Sequence, residues 1–386
     1  MPASNSQRDL RLDFFRGLAL IFIFVDHVPA NLLSYFTLHS TAFFDAAEVF
    51  IFISGFTAAL VYGRRLVSKG AVYAVAQVLR RVWQLYVAHV FLFMLFIAEV
   101  SYTATTFNNP MYNEEMRVAS FLDEPHIAVV KALILQFQPA FLDILPLYIV
   151  LLLIFPLVLL GVRRHWLLVL APSAVLYVAV QAFDIAVPAY PEGHVWFFNP
   201  LAWQFLFVSG AVLGHLATNG NGIGAAVRVL YRPAAVVFVA ALVVRLSWTL
   251  HSLWDVLPPL FVKELWPVDK NNLAPLRLIT FFTAVVLVTA HVPPTARFLA
   301  SRAARPLVLC GQQSLEIFCL GILLSALGHF VLAEYDPAVQ VQLAVNIVGI
   351  AIMFATAKMI DWYKKLDRMP AAAPAAVRPR REGTGG

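Results

Sequence analysis

Long apolar stretches alternate with short polar segments along almost the whole chain. A window of about 19 residues separates ten stretches that are long enough to cross a bilayer. Because about 20 apolar residues span the hydrocarbon core as a helix, each stretch predicts one membrane-spanning helix. The predicted spans are 14–34, 44–62, 82–101, 141–161, 166–187, 199–217, 233–250, 275–291, 306–329 and 339–360. The pattern therefore predicts an all-α, polytopic membrane protein with about ten transmembrane helices.

The composition agrees with this prediction. Hydrophobic residues make up 61% of the 386 residues and charged residues only 13%, whereas soluble domains average about 25% charged residues. The first apolar stretch imitates a secretory signal peptide, but it is too long and lacks a small-residue cleavage site, so we expect a retained helix. We predict one transmembrane domain over residues 1–365, followed by a basic, Pro/Ala/Gly-rich cytoplasmic tail over 366–386 that is disordered.

The distribution of Lys and Arg predicts the orientation. Cytoplasmic loops retain more basic residues than outer loops do. When the ten spans are threaded in order, most of the 28 basic residues fall on the side of the N-terminus. Both termini are therefore predicted to be cytoplasmic, and the net charge of +6 follows from this topology without indicating a nucleic-acid partner. The basic residues predicted in the outer loops are Arg117, Lys131, Lys263 and Lys270.

The first predicted span carries three ionisable side chains, Arg16, Asp26 and His27. A charge near mid-bilayer costs at least about 2.5 to 3.5 kcal/mol, so such groups usually face a watery cavity and serve function. Arg16 and His27 are eleven residues apart, which puts them on similar faces of a helix and about 16 Å apart along its axis. We therefore expect the helices to surround a polar channel, with Arg16 near the cytoplasm and His27 in the outer half of the membrane.

His27 is the candidate general base, because histidine titrates close to neutral pH and so suits proton transfer. Glu48 begins the second predicted span at a similar depth. A carboxylate there would orient the imidazole and raise its basicity. Asp26 points to another side of its helix, so we expect it either to steady the protonated imidazole or to pair with another helix.

No metal site is predicted. The other histidines of the apolar segments show no metal-ligand spacing with Cys, Asp or Glu. Cys310 and Cys319 lie in one apolar span, where a free thiol usually behaves as a small hydrophobic side chain.

Several sequence motifs resemble those of the OpgC family, which succinylates osmoregulated periplasmic glucans. They are DxxRGLALIFIFVDH (Asp13, Arg16, Gly17, Asp26, His27), DAAEVFIFISGF (Asp45, Glu48, Ser54, Gly55), LDILPLY (Asp143, Pro146), NPLAWQFLFVSGAVLG (Asn199 to Gly214) and CGQQSLEIF (Cys310 to Phe318). The Arg-to-His spacing of the first motif is shared with the wider transmembrane acyltransferase superfamily, whereas the other motifs narrow the resemblance to OpgC. The resemblance covers the chain up to about residue 365.

The resemblance implies transfer of a succinyl group from cytoplasmic succinyl-CoA to a hydroxyl of a periplasmic glucan, in the bacterial inner membrane. Succinyl-CoA would be a co-substrate, with no tightly bound cofactor. His27 would act as the general base, with Glu48 or Asp26 steadying it. The implied acyl-CoA-binding residues are Arg16, Arg64, Arg80 and Arg81, those lining the channel or stabilising an oxyanion are Ser54, Gln312, Gln313 and Ser314, and those contacting the glucan are Asp143, Trp203 and Gln204.

Several alternatives remain open at this point. Arg245, within the seventh span, and Arg277, at the start of the eighth, are candidates for binding the succinyl carboxylate, but Arg245 is instead a structural residue if it pairs with an acidic side chain. The acidic candidates for that pair are Asp143, Glu99 and Glu316. The arginines at the cytoplasmic side obey the positive-inside rule in any case. For the whole protein, an O-acetyltransferase of a surface polysaccharide and a glucan transporter or channel are the competing functions.

Overall fold

The described part of the protein is almost entirely helical. The computed structural model describes residues 9–29, 31–220, 223–255, 257–335 and 337–367, and within these ranges it has no β-strand, only two isolated bridges. The α-helices are α1 (Leu10–His27), α2 (Leu38–Thr41), α3 (Ala46–Lys69), α4 (Ala71–Thr106), α5 (Met111–Glu115), α6 (Ala119–Asp123), α7 (Pro125–Leu133), α8 (Ile144–Arg164), α9 (Leu167–Phe183), α10 (Pro200–Thr218), α11 (Ile223–Trp254), α12 (Val262–Leu265), α13 (Pro275–His291), α14 (Arg305–Gln312), α15 (Ser314–Glu334) and α16 (Val339–Leu366). Two 3₁₀-helices cover Leu32–Phe36 and Arg297–Ala300. The predicted tail lies outside the described residues from 368 onward.

Helices occupy every predicted span. In the described ranges, seven helices are long and apolar enough to cross a membrane: α3, α4, α8, α10, α11, α15 and α16. α9 and α13 are apolar but shorter, and α1 carries four charged side chains among its 18 residues. These findings confirm an all-α polytopic membrane protein. Following the predicted topology, we call the end of the bundle at Lys69 the inner end and the end at His27 the outer end.

Two predicted spans end or break where hydropathy gives no sign of it. The apolar pattern extends the first span to residue 34, but α1 ends at His27. Asn31 then accepts a hydrogen bond from the Leu33 N–H (3.0 Å) and exchanges two amide hydrogen bonds with Asn346 of α16, each 3.0 Å. The predicted span 306–329 is divided at Gln313, whose backbone is not helical, into α14 and α15.

Glycines make the closest contacts between α3 and α10. A Cβ added to Gly55 of α3 would lie 2.0 Å from the carbonyl oxygen of Phe207 on α10, and one added to Gly210 of α10 would lie 2.3 Å from that of Phe52 on α3. Gly210 and Gly214 are spaced as a small-xxx-small pair, the pattern that lets membrane helices approach closely. The glycines of two OpgC-like motifs are therefore packing residues.

Glycines also join α1 to α14. A Cβ added to Gly17 would lie 1.9 Å from the carbonyl oxygen of Leu307, and one added to Gly311 would lie 1.8 Å from the carbonyl oxygen of Asp13. No larger residue fits at either position without moving one of the two helices. This crossing fixes the inner half of α1, including Arg16 next to Gly17.

The segment between α12 and α13, residues 266–274, is held against the start of α10, and we call it the outer segment. The indole N–H of Trp203 donates to the carbonyl oxygens of Lys270 (3.2 Å) and Asn271 (3.1 Å). The backbone N–H of Asn199, the N-cap of α10, donates to the Asn271 carbonyl at 3.0 Å. These bonds fix the backbone from which the Lys270 side chain extends toward the N-terminus of α3.

Candidate active site

His27 is the last residue of α1, and its ring has a defined orientation. Nδ1 lies 2.5 Å from the carbonyl oxygen of Ile23, one helical turn earlier. A carbonyl oxygen only accepts hydrogen bonds, so Nδ1 carries the hydrogen and Nε2 presents a lone pair. The ring packs edge-on against Phe141, with 4.6 Å between ring centroids. This tautomer, with Nε2 open to accept a proton, is the form that a general base requires.

Polar groups from three further elements lie around His27. Asp45 at the start of α3, Lys270 of the outer segment and His39 of α2 are close enough to act on the imidazole electrostatically. The neighbouring Asp26 accepts a hydrogen bond from the Thr37 hydroxyl at 2.5 Å. Asp26 therefore pairs with a residue of the segment that follows α1.

Four charged side chains form one buried ion-pair network, which we call the outer quartet: Asp45, Glu48, Lys270 and Arg277. Glu48 Oε1 lies 2.7 Å from Arg277 Nε and 2.6 Å from Arg277 Nη2. Asp45 Oδ2 lies 3.2 Å from Arg277 Nη2 and 2.7 Å from Lys270 Nζ. Glu48 is completely buried. Two carboxylates thus meet two cations, which satisfies the requirement that buried charges be paired.

The DAAE motif forms this network through local helix chemistry. The Asp45 side chain accepts a hydrogen bond from the Ala47 N–H (2.8 Å), and Glu48 Oε2 accepts one from the Asp45 N–H (2.9 Å). Together these bonds are a capping box, which satisfies free N–H groups at the first turn of α3. The remaining oxygen atoms of both carboxylates face the cations.

Two candidate site residues, Glu48 and Arg277, have partners in the structure that differ from those expected. Glu48 is predicted to orient His27, but its hydrogen bonds among the described residues go to Arg277 and to the Asp45 backbone, and Ile23 is what orients the imidazole. Arg277 is predicted as a ligand of the succinyl carboxylate, but its guanidinium is occupied by the two acids of the outer quartet. Although the two residues were expected at a similar depth, the described hydrogen bonds of Glu48 do not include one to His27.

Lys270 is a residue of the site that sequence analysis did not single out. Burial by itself lowers the pKa of its ammonium, but the negative charges of Asp45 and Glu48 outweigh burial and raise that pKa above its ordinary value. The signal available in the sequence was topological, because Lys270 is one of the few basic residues predicted in the outer loops. Its position opposes the general bias of Lys and Arg toward the inner end.

Arg245 has no acidic partner among the described residues. Its Nη2 donates to the His39 carbonyl oxygen at 2.6 Å, its guanidinium carbon lies 5.8 Å from the centre of the Trp248 ring, and its Nε is buried without a hydrogen bond. Of the acids considered as partners, Asp143 lies 3.9 Å from Arg117, and Glu316 pairs with Lys364. The structural ion-pair alternative for Arg245 is therefore not what the structure shows.

The predicted inner site residues lie on several helices. Arg16 Nη2 donates to the Thr57 hydroxyl (2.7 Å) and to the Ile53 carbonyl (3.4 Å), both on α3. Ser54 is buried on the same helix. Gln312 donates to Asp13 of α1 at 3.2 Å, whereas Gln313 accepts from Lys364 of α16. Arg16 thus contacts α3, the helix that carries Ser54, while the two glutamines bind side chains of other helices.

The structure brings two further predicted residues together. Arg81 of α4 and Ser314 of α15 line one cleft of about 10 Å³. Phe50, Tyr148 and Phe318 also line it, with Phe50 6.1 Å from Tyr148 and 6.3 Å from Phe318 between ring centroids. The neighbouring Arg64 and Arg80 are exposed.

The predicted glucan contacts are buried. Trp203 is fully buried, with its N–H bound to backbone carbonyls of the outer segment. The Ser173 hydroxyl of α9 donates to the side-chain oxygen of Gln204 at 2.5 Å, and the Gln204 amide N–H donates to the Ser173 carbonyl at 2.9 Å. Asp143 is buried at the start of α8. A sugar reaches Trp203 or Gln204 only by displacing these partners, so their direct contribution in this structure is to position the outer segment and α9.

The described ranges contain no group of three His, Cys, Asp or Glu side chains that could hold a metal ion. Both cysteines are free thiols, Cys310 buried and Cys319 half-buried.

A comparison with known families agrees with these motifs. The family model described as OpgC protein matches residues 8–365, which include every candidate site residue. No curated protein and no solved structure matches the chain. Because the match covers nearly the whole sequence, the chain belongs to the OpgC family.

Proposed function

We propose that the protein transfers a succinyl group from succinyl-CoA, at the cytoplasmic face of the bacterial inner membrane, to a hydroxyl of a periplasmic glucan. Membership of the OpgC family implies an acyltransferase-like role in periplasmic glucan modification. The observation that carries the finer proposal is the geometry of His27, whose Nε2 is left as a proton acceptor at the outer end of α1. Succinyl-CoA acts as a co-substrate, and no tightly bound cofactor is required.

The chemistry begins with the glucan hydroxyl hydrogen-bonded to Nε2 of His27. As Nε2 takes the hydroxyl proton, the oxygen attacks the thioester carbonyl, the carbon–sulfur bond breaks, and the imidazolium returns the proton to the thiolate of CoA. General-base catalysis of this kind contributes about 10²- to 10⁴-fold, and donors aimed at the oxyanion add to it. Ser54, Gln312, Gln313 and Ser314 are the residues proposed for the oxyanion or the channel; because Gln312 and Gln313 bind side chains of the inner end, the channel-lining role is the one that suits these two.

Support for the donor side comes from the inner end. Arg64 and Arg80 are exposed there, and Arg81 lines the cleft with Ser314. Guanidinium groups bind phosphate oxygens through charge-assisted hydrogen bonds, so these arginines suit the phosphates of CoA. In the proposed complex, the acyl arm extends past Arg16 toward His27.

Support for succinate as the transferred group comes from Arg245. Its Nε is buried without a hydrogen bond, and no carboxylate of the described residues lies within ion-pair distance. A buried donor without a partner costs about 1–3 kcal/mol. The terminal carboxylate of a succinyl group would satisfy it, and an acetyl group would not.

The decisive experiment supplies labelled succinyl-CoA to the purified protein, with and without glucan. The wild-type protein should label glucan. His27→Gln should lower that rate at least about 100-fold while the protein remains folded. His126→Gln, at an exposed histidine of α7, is the matched control and should keep the wild-type rate. Wild-type labelling by His27→Gln overturns the mechanism, and movement of unlabelled glucan across vesicles without acyl-CoA overturns the reaction.

The donor assignment has its own test. Arg245→Met should lower kcat/KM for succinyl-CoA about tenfold or more relative to acetyl-CoA, because a charge-assisted hydrogen bond contributes about 1.5–3 kcal/mol. Arg228→Met, at an exposed arginine of the same helix, should leave the ratio between donors unchanged. Equal losses with both donors reject Arg245 as the carboxylate ligand.

A further inference from the structure

The ring of Phe141 lies between α1 and α4 at the outer end of the bundle. Its centroid is 4.6 Å from that of His27 and 6.4 Å from that of Phe96 on α4, with interplanar angles of 86° and 82°. Aromatic rings attract one another in this edge-to-face arrangement at such distances. Phe141 thus connects the imidazole of the candidate base to α4.

The contact with Phe141 matters because one hydrogen bond does not fix the orientation of a ring. The bond between Nδ1 of His27 and the Ile23 carbonyl sets the tautomer, but it leaves the imidazole free to pivot about the bond. A side chain packed against the imidazole removes this freedom, and catalytic geometry depends on side chains that are locked in this way. The ring of Phe141 supplies that packing.

The backbone of Phe141 has an unfavourable conformation. Its φ angle is +69°, in the left-handed region that glycine adopts readily and bulky side chains seldom adopt. Such a conformation persists only where the surrounding structure holds it, and it is found most often at functional sites. Here it occurs at the residue whose ring touches the candidate base.

Backbone hydrogen bonds hold the chain on both sides of Phe141. The N–H of Ala140 donates to the Met116 carbonyl at 3.0 Å, and the N–H of Leu142 donates to the Pro139 carbonyl at 3.2 Å. The Leu142 side chain is completely buried. The left-handed conformation is therefore imposed by the residues around it.

The connection between α4 and α8, residues 107–143, is itself tied to the outer end of α15. The Tyr112 hydroxyl donates to Glu334, and the Tyr112 ring lies 4.8 Å from that of Phe330 between centroids. Glu115 Oε2 lies 3.0 Å from Nε2 of His329. The segment that carries Phe141 is thus anchored to a membrane-spanning helix as well as packed on α4.

We propose that Phe141 is a positioning residue, whose ring holds the imidazole of His27 in the orientation in which Nε2 meets the glucan hydroxyl. This inference rests on the proposed function, in which His27 is the base. Phe141 acts through His27 and does not touch the reacting atoms.

The first experiment measures glucan succinylation by the full-length protein in lipid nanodiscs. Phe141→Leu keeps an apolar side chain but loses the ring, so kcat should fall about tenfold while KM for succinyl-CoA stays unchanged. Phe141→Tyr keeps the ring and should keep the wild-type kcat. Phe121→Leu is the matched control, because it removes a ring from another edge-on pair of the same connection, 5.7 Å from Phe93, and should also keep the wild-type kcat.

A second pair of variants separates positioning from folding. Glycine suits the positive φ angle, so Phe141→Gly should melt at a higher temperature than Phe141→Ala. Both variants lack the ring, and both should show the same loss of kcat. Recovery of activity together with stability in Phe141→Gly would overturn the inference.

A spectroscopic measurement reports on the imidazole without turnover. In ¹⁵N spectra of histidine-labelled protein, the His27 signals, identified by their loss in His27→Gln, should show one tautomer protonated at Nδ1. In Phe141→Leu they should show a mixture of both tautomers, because the ring is free to leave the Ile23 carbonyl. A single unchanged tautomer in Phe141→Leu would overturn the inference.

The outcomes separate this inference from the proposed function. If the wild-type protein succinylates glucan and only the variants without a ring at position 141 lose kcat, the inference holds. If wild-type activity is present but Phe141→Leu keeps the wild-type kcat, or Phe121→Leu loses as much, the inference is overturned while the reaction stands. If the wild-type protein labels no glucan, the proposed function fails and the inference fails with it.

Discussion

The outer and inner ends of the bundle hold their positive charges in opposite ways. At the outer end, Arg277 and Lys270 are paired with Asp45 and Glu48 at 2.6 to 3.2 Å, and Glu48 is completely buried. Burial makes each unpaired charge expensive, so the four side chains depend on one another. A network of this kind fixes geometry and leaves little freedom to bind a further ion.

At the inner end, by contrast, two arginines of α3 and α4 are open to solvent. Arg64 and Arg80 are exposed, and neither forms an ion pair with a described residue. Within the described part of the chain, the side chain of Arg81 donates only to the neutral Gln84, at 3.4 Å. The comparison teaches that the cations already satisfied within the protein hold the site together, and that the cations left open are those suited to an anionic substrate such as acyl-CoA.

The largest effect should come from breaking the outer quartet. Glu48→Ala leaves the Arg277 guanidinium buried with a single acid, and breaking a buried pair in this way typically costs about 3–5 kcal/mol. The free energy of unfolding in detergent, measured by denaturant titration, should fall by that amount.

The double variant Glu48→Gln/Arg277→Met supplies the control for this prediction. It removes both charges and keeps most of the side-chain volume, so it should be more stable than Glu48→Ala alone. If Glu48→Ala unfolds with the wild-type free energy, the outer quartet is not a stabilising network and the contrast between the two ends is lost.

The helices were predictable because the bilayer requires apolar length. Hydropathy located a helix at every predicted span, but it did not reveal the end of α1 at His27 or the break at Gln313. Both features depend on distant contacts. Asn31 after α1 binds Asn346 of α16, and Gly311 before the break packs on Asp13 of α1. The apolar residues on either side of each position do not indicate that a helix ends or breaks there.

Sequence analysis named individual candidate residues, but it predicted neither their pairings nor the participation of Lys270. The rise of a helix tells which residues lie at the same depth, and from it we expect Glu48 near the outer end with His27. Depth says nothing about direction around the helix axis. Glu48 faces Arg277, 229 residues later in the chain, and the cation completing the network, Lys270, comes from a loop whose path no periodicity predicts.

A smaller effect, on substrate binding alone, should follow from changes at the inner end. Arg80→Gln/Arg81→Gln should raise KM for succinyl-CoA about tenfold, equivalent to about 1.4 kcal/mol, with kcat and the free energy of unfolding close to wild type. Steady-state kinetics with varied donor concentration measures this effect.

Arg163→Gln/Arg164→Gln is the matched control, because it removes two exposed basic residues at the inner end of α8. This pair should leave KM for the donor unchanged. An equal rise in both double variants would mean that general positive charge at the inner end attracts the donor, with no particular role for the arginines of α4.

The smallest effect should come from an ion pair of the same length in a different setting. Lys365 Nζ lies 2.6 Å from Asp361 Oδ2 on α16, the distance that also separates Arg277 Nη2 from Glu48 Oε1. The Lys365 side chain is 58% exposed, so water already solvates its charge. Lys365→Ala should therefore change the free energy of unfolding by only about 0.3–0.5 kcal/mol, the usual range for exposed pairs four residues apart on a helix. A loss as large as that of Glu48→Ala would show that ion-pair distance, and not burial, sets the strength of these contacts, and the contrast between the buried quartet and the exposed cations would lose its physical basis.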